Sequence, residues 1–269
     1  MKTPFRHKRA ISGKALSRRR FLRLLGAGAA AGVALSAGAG QAAARVAGTF
    51  SGGPQALHAT QWAMVIDTRK LQEPERLEAI TRACHSAHNV PATPPPQDVK
   101  WIWHDSLDAA FTDDVDRFLP QDVLHRRFLL LCNHCAKPAC TRVCPTGATF
   151  RRDDGIVVMD YHRCVGCRYC MAACPYGSRS FNFQEPQAYL AQTAPGYPPR
   201  TRGVVEKCNF CMERLAVGQM PLCVEASEGA IAFGDMNDPA SPVRAALAEN
   251  VALRRKPALG TLPCVYYIL

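Results

Sequence analysis

The sequence predicts an α+β protein of short strands, short helices and long loops, assembled from repeated cysteine-bearing units. Three observations carry this. The chain of 269 residues holds 13 cysteines, far more than a packed core uses, and most of them stand in tight groups. Short alternating or β-branched runs separate those groups, and little of the chain sustains a helical period. A cysteine group followed by short strands recurs about every 30–40 residues, the mark of an internal repeat.

Residues 1–44 contain nine Lys or Arg and no acid. They run through Ser17-Arg18-Arg19-Arg20-Phe21-Leu22-Arg23 and a weakly apolar Gly/Ala stretch to Ala42-Ala43-Ala44. That build reads as a twin-arginine-type signal peptide with an Ala-x-Ala cleavage site, a route for chains already folded, and so predicts a periplasmic location. The formal charge of +11 belongs mostly to this leader, since the remainder carries 24 bases against 22 acids. Nucleic-acid binding thereby loses its main support. No later segment has about 18 uninterrupted apolar residues, so the mature part is expected to be soluble or peripheral to a membrane.

"QWAMVIDTRK" reads as a strand because Trp62, Met64 and Ile66 alternate with smaller or polar partners. Pro74 suits the first turn of a helix whose buried face is Leu77, Ile80 and Cys84. "NVPATPPPQ" is a proline-rich connector, and "KWIWHDS" is a further strand. "PTGATFRRDDGIVVMDYHR" reads as a hairpin turning at Asp154-Gly155. Residues 184–202, rich in Pro, Gln and Gly, read as a surface excursion. "GAIAFGD" is another strand, and residues 236–269 read as a C-terminal tail that ends apolar.

The chemistry lies in the cysteine spacing. Cys164, Cys167, Cys170 and Cys174, followed by Pro175, form C-x2-C-x2-C-x3-C-P, which suits a cubane iron–sulfur cluster. Three thiolates on one loop reach three irons, while the fourth points away to a neighbouring cluster. Cys132, Cys135, Cys140 and Cys144, followed by Pro145, repeat the pattern with a longer second gap. Side by side, the two groups exchange fourth ligands. Cys132, Cys135, Cys140 and Cys174 hold cluster A, and Cys164, Cys167, Cys170 and Cys144 hold cluster B. Gly166 is expected to let the backbone pass close to the inorganic core.

Zinc and a disulfide framework are the rival readings. Zinc sites pair C-x2–4-C units across a longer loop and do not call for a third nearby cysteine or a terminal C-P. Disulfides would suit export but leave an odd thiol, and cysteines three or four apart on one short loop bridge poorly. No C-x2-C is followed by His, so covalent c-type haem is excluded. His85, His88, His134 and His162 are expected to pack or to donate hydrogen bonds to cluster sulfurs rather than ligate metal. Arg163, Arg168 and Lys207 either offset cluster charge or are solvated surface, and Cys264 is expected to be a spare thiol.

Over residues 58–268 the chain resembles the four-cluster ferredoxin-like electron-transfer subunits of dimethyl-sulfoxide, polysulfide and tetrathionate reductases. Strings such as "ACHSAHNVP", "MDYHRCVGCRYCMAACPYGSRSFNF" and "GVVEKCNFCMERLAVGQMPLCVEA" are similar to the exported DsrO-like subunit of the Dsr transmembrane complex. The resemblance implies tandem bacterial-ferredoxin-like modules related by a pseudo-two-fold repeat. One comprises residues 45–131 with 203–235, the other residues 132–183. In that family four cysteine motifs interleave, first with fourth and second with third. On this scheme Cys208, Cys211, Cys223 and Cys84 hold cluster C. Leu71, Leu77, Ile80 and Ser227 stand where the ligands of a fourth cluster would be. Three [4Fe-4S] clusters are therefore expected, with one abandoned site refilled by aliphatic side chains at an end of the row.

The resemblance further implies a hetero-oligomeric, membrane-associated complex in dissimilatory sulfur metabolism. Its other members would be a polytopic quinone-interacting membrane subunit, a multihaem cytochrome c and further redox subunits. The alternative is the electron-transfer subunit of a molybdopterin oxidoreductase of the polysulfide, tetrathionate or dimethyl-sulfoxide reductase type. No serine–histidine pair, phosphate loop or open metal site points to bond-making chemistry, so no catalytic residue is expected in this chain.

Overall fold

A computed structural model of the chain describes residues 53–112 and 118–269, so the leader expected over residues 1–44 lies outside the described part. The central sheet is built on β1 (Trp62–Asp67). β8 (Ile231–Asp235) pairs with it antiparallel on one side and β10 (Val265–Ile268) parallel on the other. The short β9 (Ala252–Leu253) closes the order β8-β1-β10-β9. Every residue of β1 is buried. The size alternation read from the sequence therefore separates two cores rather than core from solvent. Trp62, Met64 and Ile66 enter the main core. Ala63 and Val65 face a smaller one with Val243, Ala246 and Leu247 of the helix Pro242–Glu249.

The segment read as a tail thus supplies two strands, one of them internal to the sheet. Tyr267 is fully buried and meets Phe111 and Phe128 edge-on, which anchors this end of the chain in the main core.

α1 (Pro74–Ala87) begins with Pro at its first turn and buries Leu77, Ile80 and Cys84, as its period predicts. Its last turn closes where the His88 N–H donates to the Cys84 carbonyl at 3.2 Å. β2 (Ile102–Ser106) and β3 (Arg127–Leu131) form an antiparallel pair that leads straight into Cys132. β4 (Thr149–Arg151) and β5 (Val157–Met159) form the expected hairpin. Gly155 sits in its turn at φ 87°, and a Cβ there would stand 2.1 Å from the Gln61 side chain. β6 (Ser180–Phe181) pairs with β7 (Val205–Glu206), which brackets residues 184–202.

That excursion is largely at the surface but is fastened along its second half. The Asn89 side chain accepts from Ala194 N–H at 2.7 Å and donates to the Ala194 and Tyr197 carbonyls. Arg200 is buried, pairs with Glu206 at 2.6 Å and donates to the Asn89 carbonyl at 2.7 Å. Among the described residues no helix is long and apolar enough to cross a membrane.

Candidate metal centres

Each cysteine group enters through the same backbone turn. The residue before the second cysteine is left-handed in all three: His134 at φ 40°, Gly166 at φ 70° and Phe210 at φ 55°. Side chains other than Gly rarely adopt this conformation, so its recurrence marks a shared demand on the loop. At Gly166 the demand is local. A Cβ there would lie 2.5 Å from the Gly203 carbonyl oxygen, so contact with that neighbouring segment by itself requires glycine. After these turns come short helices carrying further cysteines: α4 (Ala139–Arg142), α5 (Tyr169–Ala172) and α7 (Leu222–Glu225).

Cys132, Cys135, Cys140 and Cys174 line one pocket, with Tyr176, Arg179, Val157 and Thr261 among its walls. Cys144, Cys164, Cys167 and Cys170 line a second, with Met159, Arg168 and Val205. Each pocket draws three cysteines from one group and one from the other. The third set has Cys84 on α1, Cys208 and Cys211 on the loop after β7, and Cys223 on α7. Burial raises the Cys84 thiol well above its ordinary value, and Cys211, Cys208 and Cys223 lie close enough to push it further.

The three sets form a row. Cys140 of the first acts on Cys170 of the second, and Cys132 of the first acts on Cys208 of the third. The first set is therefore central. His134 and Phe210 stack at 3.7 Å, which ties the loops of the first and third sets together.

The donor chemistry of these pockets fits a multi-iron inorganic group. Burial pushes the Cys135 and Cys223 thiols up to about 12, so only a strong local cation makes all four members of such a set thiolates. Asn133 Nδ2 and Oδ1 and His134 Nε2 are buried on the Cys132–Cys135 loop without a protein hydrogen-bond partner. Native proteins rarely leave such atoms unsatisfied. Cluster sulfides and the cysteine sulfurs that hold them would accept from the two N–H donors. All thirteen cysteines are free thiols, so no disulfide competes for these positions.

Leu71, Leu77, Ile80 and Ser227 take no part in such a set. The three aliphatic residues are buried in the main core. Ser227, fully buried, donates its hydroxyl to the Val224 carbonyl at 2.7 Å and accepts from Ile231 N–H at 3.0 Å. Two backbone bonds engage its oxygen, and Leu71, Leu77 and Ile80 carry no metal donor, so these four residues do not fit a cluster.

The histidines are engaged elsewhere. His88 Nδ1 donates to the Cys84 carbonyl at 2.8 Å and Nε2 meets Glu213 at 2.7 Å, which leaves neither nitrogen for metal although Cys211 is close. His85 Nε2 faces Ile102 N–H at 3.5 Å. His134 Nδ1 accepts from Val157 N–H at 3.1 Å. Burial first, then the charges of Lys207 and Arg179, hold His134 well below its ordinary value, so its ring is neutral. His162 is fully exposed beside Asp160.

Arg163 pairs with Asp160 at the surface. Arg168 lies over Phe181 and Phe183. Cys264 belongs to no quartet: its backbone N–H donates to the Asn133 carbonyl, and its sulfur accepts from Gln61 Nε2 at 3.3 Å. The residue that spacing did not reveal is Arg179. It follows the Cys174 motif in "CPYGSRSF", and its nearness to that motif was the only available signal. It is buried and donates Nη2 to Cys140 Sγ at 3.0 Å.

Mixed short helices and strands carrying two interleaved four-thiol pockets define a ferredoxin-like iron–sulfur domain. A family model described as a 4Fe-4S dicluster domain matches residues 126–192, which contain both of those pockets' cysteines. The chain is 40% identical to the Hdr-like menaquinol oxidoreductase iron-sulfur subunit 1 of Archaeoglobus fulgidus, over 94% of this chain and 97% of the relative. It is 35% identical to a selenate reductase subunit of Mesobacillus selenatarsenatis, over 79% and 73%. With the menaquinone reductase iron-sulfur cluster-binding subunit of Nitratidesulfovibrio vulgaris it shares 34% identity, over 77% and 88%. The chain belongs to this family of iron–sulfur electron-transfer subunits.

Proposed function

We propose that this chain relays electrons through three [4Fe-4S] clusters between a quinone-interacting membrane subunit and other redox subunits. The observation that carries it is the row of three four-thiol sets with aliphatic residues filling the fourth place. In this reading Cys132, Cys135, Cys140 and Cys174 hold cluster A. Cys164, Cys167, Cys170 and Cys144 hold cluster B, and Cys208, Cys211, Cys223 and Cys84 hold cluster C. When bound, each cluster supplies a one-electron relay whose potential its surroundings set.

The protein's own share is ligation, burial and hydrogen bonding. Cluster B has an exposed ligand, Cys167, so that end of the row is open to a partner. Cluster C is enclosed by Cys84, Cys208, Cys211 and Cys223, all buried. The interleaved motifs support two ferredoxin-like modules, residues 132–183 and residues 45–131 with 203–235, related by a pseudo-two-fold repeat. The leader supports export by the twin-arginine route and a periplasmic site of work. The names of two relatives, one from a menaquinol oxidoreductase and one from a menaquinone reductase, support a quinone-linked complex. A multihaem cytochrome c and a role in dissimilatory sulfur metabolism complete the reading.

A second reading has a molybdopterin oxidoreductase as the partner, favoured by relatives named for selenate and tetrathionate reductases. Affinity purification of the full chain from its native membranes separates the two. The first reading expects co-purifying membrane and haem subunits, with menaquinol analogues bleaching the clusters. A co-purifying molybdenum subunit and no response to quinol would replace it with the second.

A further inference from the structure

Two buried cations stand at the junctions of the row, and among the described residues neither has a carboxylate partner. Arg179, 4% exposed, donates Nη2 to Cys140 Sγ at 3.0 Å and to Thr149 Oγ1 at 2.8 Å. Its Nη1 faces Met159 Sδ at 3.7 Å, and Met159 lines the cluster B pocket. Lys207, 1% exposed, donates Nζ to the carbonyls of Val157 and Cys208. Val157 lines the cluster A pocket and Cys208 belongs to the third set. A buried charge without a counter-ion is strongly destabilising. The acidic groups that act on Arg179 are cysteine sulfurs, those of Cys140, Cys170 and Cys132, and the neutral His134 ring is also close.

We propose that Arg179 and Lys207 are counter-charges shared across the row, Arg179 by clusters A and B and Lys207 by clusters A and C. Cluster A, next to both, is then the highest-potential cluster of the three and the place where a single electron rests. Electrostatics fixes the sign. Reduction adds negative charge, and a fixed cation stabilises the reduced form more than the oxidised one. Neither flanking cluster has the same setting. Cluster C is next to Lys207 alone of the two, and the Glu213 carboxylate that acts on Cys84 and Cys211 is itself paired with His88 at 2.7 Å. Cluster B is next to Arg179 alone of the two, and its ligand Cys167 is exposed. Arg179 is thus a positioning and tuning residue, and the inference rests on the three-cluster reading above.

The test is a redox titration, followed by electron paramagnetic resonance, of the anaerobically purified full chain and of Arg179→Met, Arg179→Lys and Lys207→Met. Arg179→Met is expected to lower two potentials and leave the third in place. Lys207→Met is expected to lower a different pair, with one cluster common to both sets and highest in the unmodified protein. Each shift is expected to be about tenfold in the reduction equilibrium, about 59 mV for one electron. Arg179→Lys should restore most of the shift because it keeps the charge.

Unmoved potentials at full iron content, or all three clusters shifting together, would overturn the proposal. If the Met variants fail to assemble clusters, assembly in Arg179→Lys supports the charge requirement, and failure there too makes the role structural and rejects the proposal. Iron well below about twelve per unmodified chain would reject the three-cluster reading itself, a result distinct from all of these.

Discussion

Replacing Ser227 with alanine separates a packed hydroxyl from a metal ligand, because the two roles move different observables. Asp67 N–H donates to the Ala230 carbonyl, so in the antiparallel pairing of β1 and β8 the opposed Ile66 and Ile231 form a non-hydrogen-bonded pair. Ile231 N–H therefore points away from β1, and Ser227 Oγ accepts from it at 3.0 Å. The Val224 carbonyl loses one donor but keeps the Ser227 backbone N–H at 3.2 Å. The cost is thus dominated by one orphaned, buried N–H, roughly 1–3 kcal/mol. Denaturant unfolding of the anaerobic full chain, followed by far-ultraviolet circular dichroism, should show a lower midpoint. Iron and acid-labile sulfide should be unchanged. Loss of about four irons per chain would show that Ser227 ligates a cluster and would refute the reasoning. An unchanged midpoint would refute the hydrogen-bond account.

Three further outcomes follow from the same structure. Ile80→Ala empties part of the aliphatic plug and should cost about 2–5 kcal/mol in the same unfolding assay, with iron content unchanged. Glu206→Gln leaves Arg200 buried without its counter-ion, since the pair lies 2.6 Å apart at 1% and 0% side-chain exposure. It should cost about 3–5 kcal/mol, read as a lower thermal midpoint. Burial pushes the Asp235 carboxyl up, but N–H donors from Thr60, Asn237 and Gln61 outweigh it and hold the group below its ordinary 3.8. Its stabilisation is present above that value and is lost as pH falls through the lowered folded-state value. Asp235→Ala should therefore unfold more easily than the unmodified chain at neutral pH, and unfolding midpoints across a pH series should converge in acid.

The cysteine sets at 132–174 were legible because their ligands sit on two contiguous loops, where spacing alone limits geometry. Cys84 joins Cys208, Cys211 and Cys223 across about half of the chain, and only the family resemblance pointed to it. The strand at Trp62–Asp67 was legible from its alternation, but the second core under its small residues was not, since Val243 and its helix lie far downstream. Val265–Ile268 read as a tail because a short apolar run at a chain end does not reveal its partner, and here that partner is β1. Nothing in the local sequence marks Arg179 or Arg200 as buried. Their burial depends on charges supplied by the cysteine sets and by Glu206, which no local pattern displays.

The central claim is that twelve of the thirteen cysteines hold three cubes while Leu71, Leu77, Ile80 and Ser227 close the fourth position. Iron and acid-labile sulfide, measured per chain on anaerobically purified full-length protein, test it most directly. The account predicts about twelve of each. About sixteen of each would place a cluster in the filled position, and zinc without sulfide would contradict the account altogether.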